Sequence, residues 1–466
     1  MILDLDKKKK HTTALIDASG DRWSYGELHT RVVYDFPINK KPRPLVFILC
    51  KNEIQPIVFF LSCLHHGAVP LLLNADINEL LLHELIQIYS PTHYLAPEKV
   101  PLFNHLSHED YDGYVLCELK KEPPLMNSQL SFLLSTSGST GSPKLVRHKA
   151  DNIITNVKNV SRALEITPND RAIAALPVYF TQGLSTVCAN LYAGASVLLT
   201  THPLTTKPFW DFIKEYEATS FSGIPYSFEI LDRLRFCAMK LPTLTTINQG
   251  GGRLTNEMFS KFASYAQVNK KKFIATYGST ETTSRMAYLP HHMAVAKTGS
   301  VGIAMPYGNI KLLDEKGSEI TTPHVVGEIL YSGGNVTLGY ATCVEDLQNG
   351  DERNGKYSTG DLAYFDEDDC LFIVGRKTRF VKLFGFRIGL DDIERMIKNE
   401  ITPDCATIGN AKIVTIFLTD TALADKTRLL ISNKTGIHIS GFEIKIINVI
   451  PKNNVGKTLY TKLEEL

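Results

Sequence analysis

The chain has 466 residues, with 50 basic and 49 acidic side chains, a net charge of +1 and a hydrophobic share of 44%. Its length is too great for one core and predicts two or three domains, and the balanced charge leaves no long-range field to recruit nucleic acid or an anionic membrane. Eight cysteines lie between Cys50 and Cys405 with no Cys-x-x-Cys pair, a spacing that fits reduced thiols in a cytoplasmic protein and neither a disulfide framework nor a zinc site.

The acidic start Met1-Ile2-Leu3-Asp4-Leu5-Asp6 lacks the apolar core of a signal peptide, and no window reaches the apolar length of a membrane span. Residues 44–49 form an apolar run that predicts a buried strand. A helix is expected over 55–66, a second strand from Val69, and an apolar helix over 77–89. This alternation predicts a parallel sheet covered by helices.

The run Phe132-Leu133-Leu134 then leads into STSGSTGSPK, residues 135–144. Glycines permit close approach and positive φ, successive amides converge into a nest, hydroxyls add donors, and Lys144 supplies a mobile positive charge. Such a loop is suited to a nucleotide's phosphates. It is not a Walker loop, because it lacks the Gly-Lys pair of GxxxxGK[ST].

Beyond it the strand pattern resumes at Arg171-Ala-Ile-Ala, Ser196-Val-Leu-Leu and Ser220-Phe-Ser-Gly, each ending in polar residues or proline. Ligands bind at the carboxyl ends of such strands. A glycine turn, Gly250-Gly251-Gly252, offers bare backbone to a flat base. Tyr277-Gly278-Ser279-Thr280-Glu281 combines an aromatic face, hydroxyls and a hard carboxylate oxygen of the kind Mg²⁺ prefers. From Gly308 the strands shorten and predict a β-rich subdomain. Tyr357-Ser-Thr-Gly-Asp361 then supplies a carboxylate able to accept from two vicinal hydroxyls. Gly375-Arg376-Lys377-Thr378-Arg379 precedes a helix from Leu390, with Asp391 and Asp392 in its first turn. The chain closes on Pro451-Lys-Asn-Asn-Val-Gly-Lys457-Thr-Leu.

Taken together and in this order, these motifs resemble those of the AMP-forming adenylating enzymes: acyl- and aryl-CoA ligases, peptide-synthetase adenylation domains and luciferases. The resemblance covers nearly the whole chain. It implies an α/β fold, with a large N-terminal adenylation domain (1–377) of mixed and parallel sheets packed with helices, plus the β-rich subdomain. A small, mobile α+β domain (378–466) follows, turning about a hinge at Thr378.

The resemblance further implies that Thr136, Ser137, Gly138, Ser139, Thr140, Gly141 and Lys144 hold phosphates. Gly250, Gly251, Gly252, Tyr277 and Gly278 would receive adenine, and Asp361 and Arg376 the ribose. Glu281, with Thr280, would bind Mg²⁺, and Lys457 would bridge the substrate carboxylate and the α-phosphate. Tyr179, Phe180, Gln182, Gly183 and Gly223 fall at positions that border the acid.

The implied reaction is ATP-dependent activation of a small-molecule carboxylic acid, then transfer to a thiol, either CoA or the phosphopantetheine of an acyl carrier protein. Neither nucleic acid nor membrane is an expected partner. The chain departs from the family pattern at Phe180, Leu145, Ala150, Thr378 and Arg379. These departures keep three alternatives in view: a nucleotide-binding homologue that has lost turnover, an amino-acid-adenylating enzyme, and a luciferase-like oxygenase. The uncharged 179–182 stretch favours an acid without an α-amino group.

Overall fold

The computed structural model describes residues 2–39, 42–98, 106, 108–135, 144–383, 386–410, 412–435, 437–453 and 456–466. Two large sheets dominate the first three-quarters of the chain. In one, parallel strands run in the order Lys272–Tyr277, Thr246–Gln249, Ser220–Gly223, Arg171–Ala174, Ser196–Leu199 and Thr13–Asp17, with short antiparallel strands at both edges. The other places Leu45–Cys50 and Val69–Asn74 side by side in parallel at its centre. All six residues of Leu45–Cys50 are buried, as expected where helices cover both faces of a strand.

The helices pack where the apolar periodicity expects them. Ile54–His66 buries most of its length and stops at Gly67, which takes the left-handed conformation. The Tyr25 hydroxyl donates to the Ala195 and Leu191 carbonyls, 2.7 and 3.1 Å away, tying the first helix (Tyr25–Tyr34) to the end of helix Thr181–Ala193.

Register decides where the loops emerge. Gly223 pairs with Gln249, and Gln249 with Ala275, so three parallel strands finish within about two residues of one another. Their continuations therefore gather at one sheet edge: Ile224, the Gly250–Gly252 turn and the Tyr277–Glu281 segment. In the second sheet Leu130–Ser135 is antiparallel to Leu145–Lys149, with Ser135 opposite Leu145. The segment between them thus joins two strands, whereas a Walker loop joins a strand to a helix. Its residues Thr136, Ser137, Gly138, Ser139, Thr140 and Gly141 lie outside the described residues; Lys144 lies within them.

Five antiparallel strands build the β-rich unit, from Gly308–Leu313 to Leu371–Arg376. Beyond the single turn Lys377–Arg379 come a two-stranded ribbon, helix Leu390–Glu400 and a three-stranded sheet (Cys405–Gly409, Val414–Leu418, Phe442–Ile446). This last unit has its own apolar core, built on Ile393, Ile397, Ile416 and Ile431. Among the described residues, no helix is long and apolar enough to cross a membrane.

Candidate active site

The antiparallel pair Lys356–Phe365 and Leu371–Arg376 sets Asp361 directly opposite Arg376. Arg376 Nε lies 3.1 Å from Asp361 Oδ1, and the Tyr277 hydroxyl donates to Asp361 Oδ2. Burial, followed by the neighbouring Asp361 charge, raises the Tyr277 pKa, so the phenol stays protonated and keeps donating. Burial also raises the pKa of Asp361, opposed chiefly by the Arg376 charge. Tyr277, Asp361 and Arg376 line a cavity of about 400 Å³ with Gly251, Gly252 and Gly278. An aromatic ring, bare glycine backbone and a carboxylate beside a guanidinium suit a nucleoside.

Gly278 is required for close approach. A Cβ there would stand 1.5 Å from the Ser284 carbonyl oxygen, because the chain folds back over it after the short turn Thr280–Thr282. That fold-back needs positive φ at both Thr283 and Ser284, costly for a β-branched residue. Asn335 holds the turn in place. Its amide donates to the carbonyls of Thr282 and Arg285, at 2.7 and 3.1 Å, while Thr283 donates to the Asn335 carbonyl.

Glu281 protrudes from this turn and accepts from the Tyr340 hydroxyl at 2.8 Å. Lys144 Nζ sits 3.3 Å from the centroid of the Tyr340 ring, and the Arg353 guanidinium lies 4.4 Å from the same centroid. Two cations and a carboxylate around one phenol suit a Mg²⁺-bound polyphosphate: Glu281 offers the metal a hard oxygen, and Lys144 and Arg353 offer charge to phosphate oxygens. Motif reading did not single out Tyr340 or Arg353. Strand Gly339–Ala341 carries Tyr340 here by pairing with Leu145–Lys149, a contact across nearly 200 residues that no local signal announces.

A second cavity, of about 100 Å³, is lined by Leu176, Phe180, Gln182, Ile224, Thr280 and Lys457, among others. It shares Gly251, Thr276 and Gly278 with the nucleoside cavity. Lys457 comes from the C-terminal unit, on a turn closed by the Asn453 side chain, which accepts from the Lys457 amide at 2.9 Å. Its ammonium is walled in by protein yet open to solvent. Desolvation and Arg376 lower its pKa, against the opposite pull of Glu281 and Asp361. Thr181 donates to the Thr280 hydroxyl at 2.9 Å, fixing the start of helix Thr181–Ala193 against the Glu281 turn.

Other expected residues lie just behind these walls. Gly250 packs under Gln182, Gly183 against the Pro177 carbonyl, and Gly223 against Phe221 and Ser227. Tyr179 stacks beside Phe180 at 4.6 Å and borders neither cavity. Thr378 occupies the middle of the turn Lys377–Arg379.

A family model described as AMP-binding enzyme matches residues 5–341. The chain is 25% identical to a long-chain-fatty-acid–CoA ligase of Salmonella typhimurium, over 80% of this chain and 67% of that protein. It is 24% identical to a 2-succinylbenzoate–CoA ligase of Listeria monocytogenes, over 92% and 90% of the two chains. Its fold resembles that of the o-succinylbenzoate coenzyme A synthetase from Bacillus subtilis in complex with ATP and magnesium ion: the TM-score is 0.75 at 19% identity, covering 97% of this chain and 96% of that one.

Proposed function

The chain belongs to the AMP-binding enzyme family and is by type an AMP-forming acid–thiol ligase, and from that premise we propose that it joins a small carboxylic acid to coenzyme A. The observation that carries this reading is the cavity where Lys457, delivered by the C-terminal unit, meets Thr280, Phe180 and Gln182 beside the nucleoside cavity.

In the first half-reaction a carboxylate oxygen attacks the α-phosphorus of ATP, and the bond to pyrophosphate breaks. Little covalent help is needed, so the side chains act by positioning and charge. Tyr277, Asp361 and Arg376 hold the nucleoside, and Lys457 neutralises the carboxylate and α-phosphate oxygens as they approach. Lys144 and the 136–141 stretch receive the departing phosphates, and Glu281 holds the Mg²⁺ that enters with ATP. In the second half-reaction the thiol sulfur attacks the acyl carbon, the carbon–oxygen bond to AMP breaks, and AMP leaves. Residues 378–466 act as a lid that turns about Thr378 between the two steps, a hinge motion.

The names of the relatives favour CoA over a carrier-protein phosphopantetheine as acceptor. All eight cysteines are free, in keeping with a reducing, cytoplasmic setting. The test is acid-dependent exchange of labelled pyrophosphate into ATP across aliphatic, aryl and amino acids, followed by CoA-dependent AMP release. Exchange with an acid is the expected result; ATP binding without exchange on any acid would overturn the reading.

A further inference from the structure

Arg285 is a buried cation without a buried anion. Its side chain is 2% exposed, and burial alone pulls its pKa down to about 10, so it remains charged at neutral pH. One guanidinium nitrogen, Nη1, donates to the Ser185 hydroxyl at 2.9 Å. Nε and Nη2 have no hydrogen-bond partner among the described residues. A buried guanidinium is expensive unless it is paired and its donors are used.

The surroundings supply no countercharge. Ser185 itself donates to Asn156 Oδ1, and the other polar groups nearby, Gln182, Asn190 and Asn248, are neutral amides. Arg285 stands between the 100 Å³ cavity that Lys457 lines and a second cavity of about 230 Å³. The two carboxylates bordering that second cavity are engaged elsewhere. Glu165 pairs with Lys272, and Asp170 accepts from Thr167 and Thr219. The cavity shared by Lys457 and Arg285 therefore presents two cations, with apolar walls from Leu176, Phe180 and Ile224.

We propose that the acid activated here is a short dicarboxylic acid, whose second carboxylate docks on the unpaired Nε and Nη2 of Arg285 while its first faces Lys457. The inference rests on the ligase reading above and names the substrate class of that same site. Two parallel N–H groups match the two oxygens of a carboxylate, a bidentate geometry that a lysine could not supply. The small cavity and its apolar walls suit a few methylene groups between the two charges. Ser185 holds the guanidinium in place and is a positioning residue. A monocarboxylic acid would leave the two buried donors unmatched, and sites of that kind reject the analogue that lacks the partner.

The test is pyrophosphate exchange with malonate, succinate, glutarate and adipate, each beside its monomethyl ester and the monocarboxylic acid of equal chain length. The wild type should favour one free diacid over its ester and monoacid by roughly 10²-fold or more in kcat/KM. Arg285→Met should collapse that ratio towards one, mainly through a higher KM for the diacid, while AMP binding measured by calorimetry is unchanged. Wild-type exchange that is equal or better with monoacids would overturn the proposal and leave the ligase standing, as would equal losses on both classes in Arg285→Met. Exchange with no acid of any class would remove the ligase reading and the proposal together. If Arg285→Met does not fold, the wild-type ratios decide alone, and Arg285→Lys, which keeps the charge without the fork, should retain part of the preference.

Discussion

The imidazole of His148 lies flat on Phe132, ring centroids 4.2 Å apart, with Nδ1 3.2 Å from the Thr283 hydroxyl. Burial, with Arg353 adding to it, lowers its pKa to about 3. An unfolded histidine titrates near 6.5, so between that pH and about 3 the unfolded chain binds a proton that the native protein does not. Stability from this group is therefore complete above pH 6.5 and is lost as pH falls. From pH 7.5 to pH 5 the loss comes to about 2 kcal/mol, and His148→Phe should lack that component. Urea denaturation of both proteins at the two pH values measures it; an unchanged difference in the variant would remove His148 from the account. Nothing in the sequence distinguishes this histidine, whose chemistry comes from two strands and a turn brought together by tertiary packing. Tyr277, Asp361, Arg376 and Lys457 were legible because each sits inside a short string of residue types. Arg285 lies only four residues beyond Glu281, yet its isolation depends on which groups fail to reach it, and a sequence carries no such negative information.

The hinge shows the same division at the scale of elements. Asp391 and Asp392 read from the sequence as helix-dipole partners at the start of Leu390–Glu400, and they do occupy its first turn. The structure gives Asp391 a second task. One oxygen accepts from the Arg376 backbone amide at 2.9 Å and the other from the Arg379 side chain, spanning the turn Lys377–Arg379 from both sides. Arg379, where the family often carries an acid, also pairs with Glu394 at 2.6 Å and lies 3.8 Å from the centroid of the Tyr460 ring. Glu394 is buried and additionally accepts from Thr407 and Tyr460. Glu394→Ala would leave the Arg379 guanidinium without its buried partner, and should destabilise the C-terminal unit by about 3 kcal/mol or more. Hydrogen exchange confined to 386–466 would register the loss. Protection there equal to wild type would show that the network contributes little.

Across the whole molecule, the strand–helix alternation was readable from apolar runs, and the predicted strands at 44–49, 171–174 and 220–223 agree with the observed ones within a residue or so. The order of strands within each sheet was not readable, since pairings such as Thr13–Asp17 with Ser196–Leu199 join parts of the chain far apart in sequence. The placement of Lys457 in a cavity of the N-terminal part carries the largest functional prediction. Lys457→Ala should depress acyl-adenylate formation by about 10²-fold or more, while thiolysis of preformed adenylate stays within a few-fold of wild type. Each half-reaction can be followed in single turnovers, and equal losses in both would contradict a role confined to the first.

The turn that carries Lys457 also meets the N-terminal part at one tight point: a Cβ on Gly456 would come within 2.7 Å of Tyr226 Cβ. A stopper that fits with so little clearance fixes a timetable. Nucleotide and acid must board before it seats, and nothing bulky can follow them in until it withdraws. The intermediate consequently spends its first moments sealed from bulk water, and the rate at which the stopper lifts governs how soon the next passenger arrives.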